Sequence, residues 1–175
     1  MDQSNAAQGR VRCIGCGALV PAVDGPAHRY IGASPGCWAA HGELLAKEYG
    51  EYRDLGTWQL VVDAYCAQHP GVPGPQSSQS VALHLMTLYL ALERGATAEE
   101  CRRSHQHMAH RGYPWLTPPD HRGDLTVADV LAARDAAEHR ALVERWARAV
   151  WDAWAAHHAT VRGWLGEEVR MTKYE

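Results

Sequence analysis

Cys13-Ile14-Gly15-Cys16-Gly17, followed by His28 and Cys37, constrains this chain more than any other stretch. A C-x2-C pair on a glycine-rich turn offers two thiolates to one tetrahedral ion, and His28 with Cys37 completes a Cys3His set inside one short segment. The segment holds few apolar residues, so a bound metal would supply the stabilisation that a core cannot. Zinc suits such a donor set. Cys37 stands at the expected start of a helix, where the positive end of the dipole favours a thiolate. The metal ligands read from the spacing are therefore Cys13, Cys16, His28 and Cys37, with His69 or His84 as alternatives to His28 for the fourth position. A set closed within residues 13–37 would be structural. A histidine folded in from the helices, or a water, would place the metal at a pocket as a Lewis acid.

Composition bounds what remains. With 175 residues the chain suits one domain, comprising a tail (1–10), a metal-binding segment (11–37) and a helical body (38–175). The formal net charge is −3 and no basic run stands out, which disfavours a nucleic-acid partner. No apolar stretch reaches membrane-spanning length and the first ten residues are polar, so a soluble, cytoplasmic protein is expected. Five cysteines, an odd number, suggest ligands and buried thiols rather than a disulfide frame.

Beyond Cys37 the periodicity is helical almost throughout, and no segment alternates convincingly as a strand. Helices are expected over 37–49, 57–68 and 79–94, with a proline- and glycine-rich loop over 70–78. The third carries an apolar stripe at Val81, Leu85, Leu88 and Leu92 and stops at Gly95. Thr97 to Glu100 and Thr126 to Asp129 read as capping boxes. A long C-terminal helix is expected over 136–165, with Trp146, Val150, Trp154 and His157 at three- and four-residue steps. The fold class is all-α: a helical bundle with a zinc-stapled, loop-rich N-terminal segment.

Several strings occur together: Cys-x2-Cys-Gly-Ala, His28-x-Tyr30, Gly36-Cys37-Trp38, Asp63-Ala-Tyr65-x2-Gln68-His69-Pro70-Gly71 and Gln79-Ser80-x3-His84-Leu85. In these the chain resembles an uncharacterised bacterial family of about this length, over residues 13–95. That resemblance implies no established activity. It does imply that Asp63, Gln68, His69 and His84 belong with the cysteines in one functional region.

The residues themselves support a second cluster. His84 shares the apolar stripe of its helix, and Asp63 lies on a predominantly apolar helix, so both need partners if buried. Two helices joined by a short loop are antiparallel neighbours, which would bring Asp63, His69 and His84 into one pocket. The plainer alternative is that Asp63 and His84 lock the helix pair. Cys101, His105, His107 and His110 do not share one helical face and read as a partly solvated surface, and Cys66 reads as a small buried hydrophobe. No phosphate loop, nucleophile elbow or H-E-x-x-H is present. Two readings follow. One is a small zinc-dependent enzyme, hydrolytic or lyase-type, acting on a small-molecule metabolite with Asp63, His69 and His84 as catalytic residues. The other is a zinc-stabilised helical binding module without catalysis.

Overall fold

The computed structural model describes residues 9–171, and within them the chain is mainly helical. A two-stranded antiparallel hairpin comes first, β1 (Arg10–Arg12) with β2 (Leu19–Pro21), registered Val11 to Val20. Seven helices follow: α1 (Pro35–Lys47), α2 (Leu55–Gln68), α3 (Pro75–Arg94), α4 (Ala98–Met108), α5 (Val127–Leu131), α6 (Ala136–Ala153) and α7 (His158–Met171). No helix among the described residues is long and apolar enough to cross a membrane. Most of the expected tail lies outside the described residues, and Arg10 already opens β1.

Helix α2 is the axis of the molecule. It packs on α3 and α6, and touches α1 and α4. Val61, Asp63, Ala64, Tyr65, Cys66, Ala67 and Gln68 are consecutively buried apart from Val62, so α2 is covered nearly all round. Its start is fixed by Asp54, whose side chain accepts from the Gly56 and Thr57 amides. Three tryptophans of α6 and its end form the mass of the core: Trp146, Trp151 and Trp154 are completely buried. Each indole N–H finds an acceptor, namely Gln68 Oε1 at 3.1 Å, Glu93 Oε1 at 3.2 Å and Ala67 O at 3.1 Å. The rings can therefore be buried without stranding a donor.

Three expected elements are adjusted. Helix α3 starts at Pro75 rather than Gln79, because proline at the first helical position needs no amide partner. The hairpin has strands of three residues, too short for alternation to show. The C-terminal helix is broken at Trp154 by a tight turn over Ala155–His157. There the Trp151 carbonyl accepts from the Trp154 amide and from His158 Nε2, while the His158 ring stacks on Trp151 at 3.7 Å. That carbonyl is thereby drawn out of the regular α-helical ladder, and the chain tightens and turns.

A buried pair ties the N-terminal half to α6. His139 Nε2 lies 2.6 Å from Glu48 Oε1, and Thr57 Oγ1 donates to Glu48 Oε2 at 2.9 Å. Both side chains of the pair are essentially inaccessible. Removing one member of such a pair leaves the other buried and uncompensated. His139→Ala is expected to cost about 3 kcal/mol in urea denaturation. Arg134→Ala, which breaks the exposed ion pair to Glu138, should leave the midpoint unchanged.

Candidate metal centre

The turn of the β1–β2 hairpin carries the first two donors. Its closing bonds run from the Cys13 amide to Ala18 O (2.8 Å) and from the Gly17 amide to Cys13 O (3.0 Å), with Gly17 at φ +77°. This left-handed conformation suits glycine. Backbone amides of Gly15 and Ser34 point at Cys13 Sγ, at 3.4 and 3.5 Å. Cys37 comes from the first turn of α1, opened by Pro35, and is fully buried. The Tyr65 hydroxyl donates to Cys37 Sγ at 3.6 Å.

The fourth donor is His69, at the C-terminal cap of α2. Its Nδ1 donates to Tyr65 O at 2.7 Å. That bond fixes the tautomer and leaves the Nε2 lone pair free for a metal. Nε2 lies 3.6 Å from Cys13 Sγ and 3.5 Å from Cys37 Sγ, and Cys16 Sγ lies 3.8 Å from Cys37 Sγ. All four ligand atoms fall within 4.8 Å of one another. A tetrahedral ion with about 2.3 Å to sulfur and about 2.0–2.1 Å to nitrogen sets sulfurs about 3.8 Å apart, and sulfur and nitrogen about 3.6 Å apart. The three distances match those edges. Cys13, Cys16, Cys37 and His69 are thus arranged to hold a metal ion.

Electrostatics agree with that role. Hydrogen bonding from Cys16 and Cys37 holds Cys13 far below the usual thiol range, so one thiolate is stabilised without a metal. The same crowding by Cys13 and Cys16 pushes Cys37 far up, because a second thiolate there meets the first. A cation at the centre would remove this frustration. Burial opposes charge on His69, but the Cys13 and Cys16 sulfurs outweigh it and the imidazole is pushed up to about 9. Three thiolates around a divalent ion carry one net negative charge. Arg122 stands at the turn: Nη1 donates to Gly15 O at 2.5 Å, and burial lowers the guanidinium from its ordinary value against the opposing pull of Cys16, Asp120 and Cys13.

The remaining sequence candidates fall into two places. His28 is outside the four-residue group. Its ring packs against Tyr30 at 4.4 Å and Trp38 at 5.1 Å, and its Nδ1 is buried without a partner. His69 takes the position the spacing gave to His28, because the end of α2 delivers it directly beneath the hairpin turn. Asp63 and His84 meet on α2 and α3, where His84 Nδ1 donates to Asp63 Oδ1 at 2.8 Å. Gln59 Nε2 donates to both Asp63 oxygens, at 3.1 and 3.0 Å. Cys101 is buried against Thr87 O, and neither it nor His105 joins a metal group among the described residues. Sequence reasoning gave no role to Arg122, whose link to Gly15 spans more than a hundred residues of chain and left no local signal.

The fold and this centre together define a helical protein with a Cys3His group arranged to hold a metal ion. No curated protein and no solved structure matches the chain. A family model does, over residues 11–155: the chain belongs to DUF5946, a family of unknown function. The matched span contains all four donors.

Gly15 gives a sharp test of the packing around the centre. A β-carbon there would collide with Gly32 O and the His69 ring. Gly15→Ala should displace the turn, lowering both metal content by elemental analysis and the melting temperature. Gly9→Ala, where a β-carbon meets open space, should change neither.

Proposed function

We propose that the ion is zinc and that it staples the N-terminal segment to the helical body, so that the protein acts as a zinc-stabilised binding module. The observation carrying this reading is that four protein donor atoms lie within 4.8 Å of one another, enough for a closed set of the kind that structural rather than catalytic sites use. Three thiolates with one imidazole favour zinc over hard cations. The ligands come from the hairpin turn, the start of α1 and the end of α2, so one ion would reinforce three elements that already share an apolar core through Val20, Leu44 and Tyr65. The staple also orders the loops beside it. The Gly32 amide donates to His69 O at 3.1 Å, and Ser77 Oγ donates to Tyr30 O at 3.4 Å. Between those loops lies a cleft of about 280 Å³ with Arg29, Tyr30, Val72 and Ser77 among its lining residues. It supplies a surface on which a small-molecule ligand can be held.

A second reading, a small enzyme, is favoured by the Asp63–His84 pair, which Gln59 holds from the other side. His69 has both ring nitrogens engaged, one at Tyr65 O and one toward the sulfurs. In that reading His84, held by Asp63, is the acid–base group, and the zinc keeps no position for a reacting water.

Elemental analysis of tag-free protein tests the assignment. About one zinc per chain is expected, lost in His69→Ala and retained in His28→Ala and His84→Ala. Retention of zinc by His69→Ala with loss in His28→Ala would overturn the ligand set. Chelation at neutral pH should lower the melting temperature of the wild type and leave that of zinc-free His69→Ala unmoved.

A further inference from the structure

Helix α1 runs on into one π-helical turn, Glu48–Tyr52, and the chain then turns at Arg53 to enter α2. Arg53 has φ +51° and ψ +36°, and its amide donates to Glu48 O at 2.7 Å. The other described residues with positive φ are all glycines: Gly17, Gly71, Gly95 and Gly123. An arginine held in the left-handed region is strained where glycine is not. Glycine would serve this turn better, so what arginine adds at position 53 is its side chain. Arg53 lines a cleft of about 410 Å³, within the range of roughly 300–1,000 Å³ that small-molecule sites occupy. The apolar walls of the cleft are Tyr49, Leu55 and Trp58. Tyr49 and Leu55 are 74% and 75% exposed, and the Tyr49 and Trp58 rings stand edge to face at 6.5 Å and 78°. The lining charges are answered with one exception. Glu48 is taken by His139 and Thr57, Asp54 by Arg140 and the α2 amides, and Arg102 by both oxygens of Glu99. The Arg53 guanidinium has no acidic partner among the described residues. Trp58 also differs from the three core tryptophans, each of which has an acceptor: its Nε1 is buried without one.

We propose that this cleft binds a small aromatic carboxylate, its ring against Tyr49, Leu55 and Trp58 and its carboxylate on the Arg53 guanidinium. Charge complementarity selects the anion. With Glu48 and Asp54 both committed inside the protein, the unanswered charge of the cleft is positive, and a cationic ligand would meet Arg53 and Arg102 without a counter-charge. The ring geometry selects an aromatic body. Two rings set edge to face leave a corner in which a third can pack edge-on or offset against both. A planar guanidinium with parallel N–H donors matches a carboxylate in two bonds, which fixes the orientation of the ligand as well as its charge. The cleft adds a ligand site to the binding-module reading and does not depend on the metal, since none of its residues belongs to the Cys3His group.

The test is titration of the full, metal-loaded chain with 3-phenylpropionate, followed at the NMR signal of the Trp58 indole N–H, which is identified by its loss in Trp58→Phe. Saturable movement of that signal is expected, and Arg53→Gly should weaken binding about tenfold. Glycine suits the left-handed position, so Arg53→Gly should melt close to the wild type, which separates loss of the guanidinium from loss of the fold. Neutral 3-phenylpropan-1-ol should bind the wild type and Arg53→Gly alike. Benzyltrimethylammonium should bind the wild type more weakly than 3-phenylpropionate does. Three results would overturn the proposal: equal affinity of the carboxylate for the wild type and Arg53→Gly, tighter binding of the ammonium ion, or no saturable movement at Trp58. Zinc content read on the same samples separates this outcome from the metal centre. Carboxylate binding by a chain that carries no zinc supports the cleft and contradicts the staple.

Discussion

His69 is the residue through which the central helix meets the N-terminal cysteines. Its Nδ1 is committed to the carbonyl of Tyr65, one turn back on α2, and its Nε2 is aimed at two sulfurs from other elements. The first bond sets ring orientation and tautomer; the second nitrogen then has one use. Because His69 caps the central helix, an ion bound there transmits the rigidity of the core to a hairpin with strands of three residues. A two-stranded hairpin of that size has no independent stability in water. The hairpin is anchored instead by the buried Ala18 and Val20 in the core, and a metal in the Cys3His group would add to that anchor.

The central helix accepts an unusual number of polar groups because each is answered. Gln68 is fully buried and uses both ends of its amide: Nε2 donates to Arg122 O and Leu125 O, and Oε1 accepts from Trp146. Asp63 is fully buried and accepts from Gln59 and His84. An unpaired carboxylate in that position would cost several kcal/mol, on the order of the whole stability of a domain this size. These bonds also set geometry. By gripping the 122–125 segment, Gln68 holds in place the loop that sends Arg122 to the Gly15 carbonyl. One buried amide therefore connects the tryptophan core to the turn at Gly15.

Buried imidazoles recur around this axis with different partners, and the differences sort their roles. His84 has a carboxylate, His139 has Glu48, and His69 has a carbonyl and sulfurs. His41 stacks on Tyr65 at 3.8 Å with Nε2 unpaired, and burial, reinforced by His69 and His84, pushes it down to about 3. It stays neutral at physiological pH and serves as an aromatic spacer beside the centre. Histidine content alone says nothing about these distinctions.

The sequence by itself determined most of the helices, the two capping boxes at Thr97 and Thr126 and the three cysteines of the group. Those features are local: a capping box spans four residues, a C-x2-C pair shares one turn, and an apolar stripe repeats every three or four positions. It also placed Asp63 beside His84, because two antiparallel helices joined by a short loop leave few other registers. Tertiary structure brought His69, one of the alternatives the spacing left open, rather than His28 into the group with the three cysteines. His28 is nearer in sequence, but ligation needs a lone pair aimed within a fraction of an ångström. The end of a packed helix fixes His69 in that way, whereas His28 turns its ring toward Tyr30 and Trp38. Tertiary structure likewise gave Gly15 its guanidinium from Arg122, and broke the C-terminal helix at Trp154, where His158 diverts the Trp151 carbonyl. Each of these depends on partners brought together by packing rather than by spacing along the chain.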